Sequence, residues 1–417
     1  MAQMISGKKN LLNLNQLIND IISGCAPEVP FDEYKLDDRN TKLKEHVVIA
    51  QFTLSNLNSQ LKFLLKNKSQ LSGYTYELIS SCFHLCGEHS QSNFIWSNTE
   101  CYSKANLCLK QLCSLFEASR LDDLFNMIDI SKVLFSLCSK KLDKENWKKN
   151  PAAVECFMWI LKCLKMPQLN SLLYILMPLP LKMFDDYNDS NINIALDAFE
   201  HIIENTPSAE LSMSGHDKVL IKSFESRLLS SEYHMIPHVL KCLLFLISKL
   251  QLKHVTGKND LEWNKFDDIL SILLPRMELE TKSEPIEKYA TIFPLLIESI
   301  GFSGIRWSQR LIPLFAEYIT YNHSKLKTVQ TIKIFILQTW PRKNSDWKDL
   351  LSILIKALYD EDKCNLPPNE DNVTAIVDCI RLLKSAVPEE TQNILYELKN
   401  VQELQTKKIF LEALNTI

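Results

Sequence analysis

The chain has 417 residues, 46% of them apolar and 23% charged, so it carries enough apolar surface for a substantial core and is not a disordered polymer. Its net charge of −3 comes from acids and bases mixed along the sequence, which leaves no basic stripe to capture nucleic acid. Glycine occurs only 8 times, far below the usual ~7%, and no Asn-Gly or Asp-Gly pair occurs, so phosphate loops and tight hairpins are scarce and the composition favours helices.

In chain order, residues 11–23 read as a short helix, and the proline-containing "APEVPFDEYKLDDRN" (26–40) reads as a tether or loop. Apolar residues then recur at spacings of three and four, which predicts helices over 41–66, 71–86, 97–117, 121–140 and 151–165. From about 167 the helices come in pairs, with first helices beginning near 170, 216, 263, 305, 344 and 389. A period of about 39–47 residues is that of HEAT and armadillo repeats, in which no single pair can cover its own apolar faces and each stacks on its neighbours. The expected fold is therefore all-α, a HEAT-like α-solenoid of stacked antiparallel helix pairs. Its expected divisions are 1–40 (helix and tether), 41–166 (helical region) and 167–417 (repeat array). Prolines in "LMPLPL", "LLPRM" and "LIPLF" should bend first helices by removing ladder hydrogen bonds.

The N-terminus lacks a signal-peptide core, and the longest apolar run, 172–181, is too short to span a bilayer, so an intracellular chain with reduced cysteines is expected. Cys113, Cys138, Cys163 and Cys242 lie in apolar helical runs and should behave as small buried hydrophobes.

Four stretches resemble chemistry. In "INIALDAFEHIIEN", His201 follows Asp197 by four residues and precedes Glu204 by three, but Ala195, Ala198, Phe199, Ile202 and Ile203 make an apolar stripe that places the histidine at the edge of a repeat helix. "CFHLCGEH" offers Cys82, His84, Cys86 and His89 as ligand types, without paired-ligand spacing, so helix packing is the preferred reading and no metal is expected. "SGHD" puts Ser214, His216 and Asp217 side by side, where triad side chains cannot easily converge; a helix cap from Ser214 or Asp217 is expected. "TGKND" (256–260) lacks the remaining residues of a phosphate loop and reads as an ordinary loop.

The run "PLPLKMFDDYNDSNINIALDAFEHIIENTPSAEL" and the later "GFSGIRWSQRL" and "QTWPR" resemble the Tel-two-interacting protein two family over roughly 167–360. The matching residues are Leu179-Pro180, Asp185, the run 201–203, Asn205, Pro207 and Glu210-Leu211, then Gly301, Arg306, Arg310 and the run Trp340-Pro341-Arg342. Ser190, Asn191, Ile192 and Ala195 depart from the family's basic residues and glycine. The resemblance implies a non-enzymatic scaffold without cofactor, cytoplasmic and nuclear, that joins two larger helical-repeat partners, Tel-two and Tti-one, in the Triple-T co-chaperone complex. That complex works with the Hsp-ninety machinery to mature and stabilise phosphatidylinositol-3-kinase-related kinases.

Arg306 and Arg310 read most simply as a solvated basic face; on the sharper reading they and Arg342 are the candidate partner-binding residues, because arginine is enriched at interface hot spots and pairs bidentately with carboxylates. Arg306 and Arg310 are one turn apart on an expected first helix whose apolar face is Trp307, Leu311, Leu314, Phe315 and Tyr318, so their joint replacement by glutamate is expected to weaken partner binding without changing the melt. A HEAT-type adaptor that reads peptide or cargo signals in a concave groove is the alternative, and would bind isolated peptides. An enzyme using the Cys82–His89 cluster is the third reading, and would carry stoichiometric zinc.

Overall fold

The computed structural model describes residues 16–29, 36–66, 76–230, 232–251, 263–339, 346–362, 369–402, 404 and 407–417. Every described element is helical, as the composition requires. The chain forms two compact units, Met1–Pro207 and Ser208–Ile417, so the pairs expected from 167 onward are shared between them.

The first unit holds α1 (residues 16–24), α2 (Leu36–Lys66), α3 (Tyr76–Glu88), α4 (Thr99–Leu115), α5 (Leu121–Met127), α6 (Ile130–Lys140), α7 (Pro151–Cys163), α8 (Gln168–Leu176), α9 (Pro178–Phe184) and α10 (Asp189–Asn205). Helix α4 packs on α2 and α3, α3 on α7, and α10 on α7 and α9. Phe83, Phe125 and Trp159 form an aromatic knot at centroid separations of 5.2–6.4 Å. The α10 stripe read from the sequence is the buried one: Ala195, Ala198, Phe199, Ile202 and Ile203 are fully covered. Burying Phe199 or either isoleucine contributes about 1.5–3 kcal/mol each.

Three expectations change in this unit. The tether 26–40 is shorter than read, since α2 already begins at Leu36. The chain just before it is held by buried polar groups: Ala26 N donates to Glu88 Oε2 (2.7 Å), Lys141 Nζ to Glu88 Oε1 (2.6 Å) and Val29 N to Lys149 O (2.9 Å). The helix expected over 121–140 is two, because the chain turns extended at Ile128 before restarting at Ile130. "LMPLPL" does not bend one helix but ends α8 and starts α9 with Pro178 at its first position, where the missing N–H costs nothing.

The second unit shows the repeat directly. Its first helices are α12 (His216–Ser230), α14 (Lys265–Leu279), α16 (Ser308–Tyr318) and α18 (Trp347–Glu361); its second helices are α13 (Ile236–Gln251), α15 (Ser283–Ile300), α17 (Asn322–Thr339) and α19 (Glu370–Ala386). First helices touch first helices and second touch second along the series, and each first helix packs on its own second. That ladder is the HEAT-like solenoid arrangement. Helices α20 (Pro388–Lys399) and α21 (Lys408–Thr416) close it, and the short α11 (Ser208–Met213), absent from the sequence reading, precedes it. Phe293, Phe315 and Phe335 interlock α15, α16 and α17 at centroid distances of 5.4 and 5.7 Å. Pro275 and Pro313 sit inside α14 and α16 as expected, and Pro294 inside α15.

Asparagine supplies many of the helix starts. Asn98, Asn188, Asn264 and Asn369 each accept a backbone N–H of the following turn through the side chain, satisfying donors that the helix cannot. The second helix α15 stops at Gly301, whose φ of 58° and ψ of −136° lie where only glycine is at ease. A β-carbon there would meet nothing closer than Gln338 Oε1 at 3.8 Å, so strain rather than crowding opposes substitution. Gly301→Ala is therefore expected to cost about 1–3 kcal/mol in a urea melt, with the helical circular dichroism retained.

Among the described residues, no helix is long and apolar enough to cross a membrane. The described cysteines are free thiols. Cys82, Cys86, Cys108, Cys156 and Cys242 are buried, and burial pushes the Cys25 thiol up to about 12, so it stays protonated and unreactive. Cys113, Cys138 and Cys163 are less buried than their apolar surroundings in sequence suggested.

Candidate functional site

The region of the resemblance around Arg306 builds a surface on the first helices of the second unit. The loop before α14 ends in Asn264, whose side chain accepts from Phe266 N (2.9 Å) and Asp267 N (3.3 Å), while Asp267 Oδ2 takes back the Asn264 N–H at 2.8 Å. This reciprocal capping box places the Asp267 carboxylate at a helix N-terminus, with no solvent exposure. The next repeat then uses the same carboxylate. Arg306 donates from a terminal guanidinium nitrogen to Oδ2 at 2.7 Å, and Trp307 Nε1 donates to Oδ1 at 2.7 Å. A buried carboxylate is tolerable when its oxygens are fully occupied, and here three donors from two segments converge on it.

One turn on, Arg310 grips Glu278 at the far end of α14 with two parallel bonds, Nε to Oε1 and the terminal nitrogen to Oε2, both 2.7 Å. This fork is more open to solvent, the two side chains being 38% and 35% exposed. Its guanidinium carbon also lies 5.9 Å from the centroid of the Trp307 ring. The Trp263 ring packs 5.7 Å from that of Trp307, yet is 60% exposed, and its indole N–H is fixed on Asp268 Oδ1 at 2.7 Å. Trp263, Trp307, Arg310 and Glu278 are thus linked by successive contacts, from a largely exposed aromatic ring to a charge fork. Tryptophan and arginine held rigid before binding are the side chains that most often dominate protein interfaces.

Arg306 and Arg310 do come together around Trp307, but not as two free cations on one helix. Arg306 lies in a 3-10 helix, Gly301–Trp307, ahead of α16, and its charge is matched by a buried acid. The expectation that replacing it with glutamate would leave the melt unchanged is thus corrected, because a second carboxylate would face Asp267. Trp307, Leu311, Leu314, Phe315 and Tyr318 are buried as read. Arg342, with Trp340 and Pro341, lies outside the described residues, as does "TGKND". The sequence reading missed Trp263, Asp267 and Glu278; only the Asn264–Asp267 capping spacing in "WNKFDD" marked any of them locally.

The remaining candidates have structural roles. His201 Nε2 contacts the Leu164 carbonyl (3.0 Å) and Nδ1 faces Asn205 Nδ2 (3.4 Å), so the imidazole ties α10 to the end of α7. Ser214 Oγ donates to the Glu210 carbonyl at 2.7 Å and so only accepts from His216 Nδ1 at 2.8 Å, the wrong polarity for an activated nucleophile. Ser214 therefore does not cap the following helix as expected but closes the end of the preceding α11, while Asp217 accepts from Lys218 N in the first turn of α12. No three ligand atoms of Cys82, His84, Cys86 and His89 approach within 4.8 Å, and burial lowers both histidines to about 4.

Fold and surface together define a class, a HEAT-like helical-repeat protein with an exposed tryptophan beside an arginine–glutamate fork. Curated proteins of similar sequence narrow this class. The chain is 28% identical over 276 residues to TELO2-interacting protein 2 of Mus musculus, an alignment covering 64% of this chain and 54% of the relative. It is 28% identical over 287 residues to the Homo sapiens protein of the same name, covering 66% and 56%, and 29% identical over 273 residues to that of Rattus norvegicus, covering 63% and 53%. These relatives support placing the chain in the TELO2-interacting protein 2 family, the one its sequence resembles. The chain spans about half the length of the curated relatives it matches. No family model matches. A solved engineered protein aligns over 96% of this chain and 94% of its own at 12% identity and a TM-score of 0.34, too slight a likeness to argue from.

Proposed function

We propose that the chain is a non-enzymatic scaffold subunit of a Triple-T-type co-chaperone complex, binding Tel-two and Tti-one through extended helical surfaces in the cytoplasm and nucleus. Through that assembly and the Hsp-ninety machinery it supports the maturation and stability of phosphatidylinositol-3-kinase-related kinases. The observation that carries the reading is the likeness to relatives named for their interaction with TELO2. The exposed Trp263 beside the Arg310–Glu278 fork supports it, since a repeat scaffold needs rigid anchors on its surface.

The test is affinity capture of both partners by the tagged full chain, compared with a Trp263→Ala, Arg310→Ala variant. An exposed ion pair is worth only about 0.2–1 kcal/mol, so the melt should move little. Loss of two hot-spot side chains should weaken capture of at least one partner by about 30-fold or more. Undiminished recovery of both partners by the variant would remove this surface from the interface, and failure of the wild-type chain to capture either would end the scaffold reading.

A further inference from the structure

Helix α2 is apolar on two opposite sides. Leu43, Ala50, Leu54, Leu57, Leu61 and Leu64 are buried on the side turned to the rest of the unit, where α2 packs on α4. On the far side, Val48, Ile49, Phe52 and Phe63 are 70%, 50%, 74% and 54% exposed. Apolar residues scattered singly over a surface need no explanation, but these four share one stripe of the helix. The stripe also has a period: the exposed Glu45, Phe52, Ser59 and Lys66 follow one another seven places apart, and seven residues bring a helix back to within about 20°. A stripe of that period is the seam along which a second helix packs at a shallow angle.

Charge and bulk along the stripe say which helix. Glu45 and Lys66 stand at its two ends. A copy of α2 laid antiparallel, about a two-fold axis passing between Ser55 and Asn56, sets Glu45 of each chain against Lys66 of the other, the reciprocal pattern of a symmetric pair. The same register sets Phe63 against Val48 and Phe52 against Ser59, so each ring has a smaller side chain to pack over. A parallel pairing fails on both counts: Glu45 would meet Glu45 and Lys66 would meet Lys66, while the two facing serines would leave a gap.

We propose that the outer face of α2 is a self-association surface, through which two copies of this chain pair antiparallel over Val48, Ile49, Phe52 and Phe63, with a Glu45–Lys66 ion pair at each end. This goes beyond the scaffold reading above and concerns the chain alone, so the two stand or fall separately. A single seam about 32 Å long is small for an interface, so the pairing is weak and forms at micromolar concentrations. Sedimentation equilibrium of the full chain over about 1–100 μM should therefore show the mass rising from one chain toward two. Phe52→Glu should raise the dissociation constant about 30-fold or more, with the helical circular dichroism unchanged because this ring lies outside the core. Lys66→Glu should weaken pairing about five-fold or more by setting acid against acid, and adding Glu45→Lys should restore it, because the pair is then only reversed. A chain that stays monomeric at the highest concentration, or a dimer indifferent to Phe52→Glu, would overturn the proposal. Failure of the double reversal to restore pairing would overturn the antiparallel register. A monomer that loses capture of Tel-two or Tti-one on Phe52→Glu would give this face to a partner and overturn the second copy.

Discussion

Asp267→Ala is expected to destabilise the second unit by about 3–5 kcal/mol, the usual consequence of removing one partner from a buried ion pair. The size follows from what the carboxylate serves: Arg306 and Trp307 of the following repeat and the backbone N–H of Asn264 would all lose their acceptor at once. Leaving a guanidinium only a quarter exposed without its counter-charge is the largest part. Asp267→Asn keeps an acceptor oxygen but turns an amide NH2 toward one of the donors, so its cost should fall between wild type and alanine. Urea unfolding followed by the fluorescence of Trp307, which hydrogen-bonds to the site, reads both. A loss below about 1 kcal/mol for the alanine variant would show that the junction between α14 and the 3-10 helix does not depend on this carboxylate.

The same residue shows what the sequence could and could not reveal. Helix period, pair spacing and the buried stripe of α10 were readable because they depend on neighbours three and four places away, and the repeat beginnings near 216, 263, 305 and 344 match α12, α14, the 3-10 helix before α16, and α18. Asn264 and Asp267 at capping spacing were likewise local. The destination of Arg306 was not, because its acid lies 39 residues earlier and only the stacking of one repeat on the next brings it near. Two arginines four apart therefore looked like a free basic face when each was already engaged. The anchoring of the segment 26–29 was hidden for the same reason, since its composition suggests a tether or loop and its anchor, Glu88, is 62 residues from Ala26. Trp263 carried no signal of its own in the sequence, and only the fold shows its ring beside Trp307 and largely exposed.

A second junction repeats the device with a different cation. Lys325, near the start of α17, donates to Glu361 Oε1 at 2.6 Å at the end of α18, and both side chains are under one-tenth exposed. Asn372 Nδ2 (3.3 Å) and Asn369 N (3.4 Å) add neutral donors from α19 and its cap, so the glutamate gathers three helices. Glu361→Ala should cost about 3–5 kcal/mol, because it strands a buried ammonium together with two neutral donors. Glu361→Gln keeps an acceptor for the asparagines and removes only the charge, which still leaves Lys325 unmatched. Adding Lys325→Met to that variant removes the stranded cation while keeping an apolar stem of similar length, and a substantial part of the lost stability should return. A double-mutant cycle by chemical denaturation therefore separates charge pairing from hydrogen bonding, with a coupling between the two sites of about 1–3 kcal/mol. Strict additivity would mean that the ion pair between α17 and α18 adds nothing, and that the cost of Glu361→Ala comes from the neutral bonds to α19.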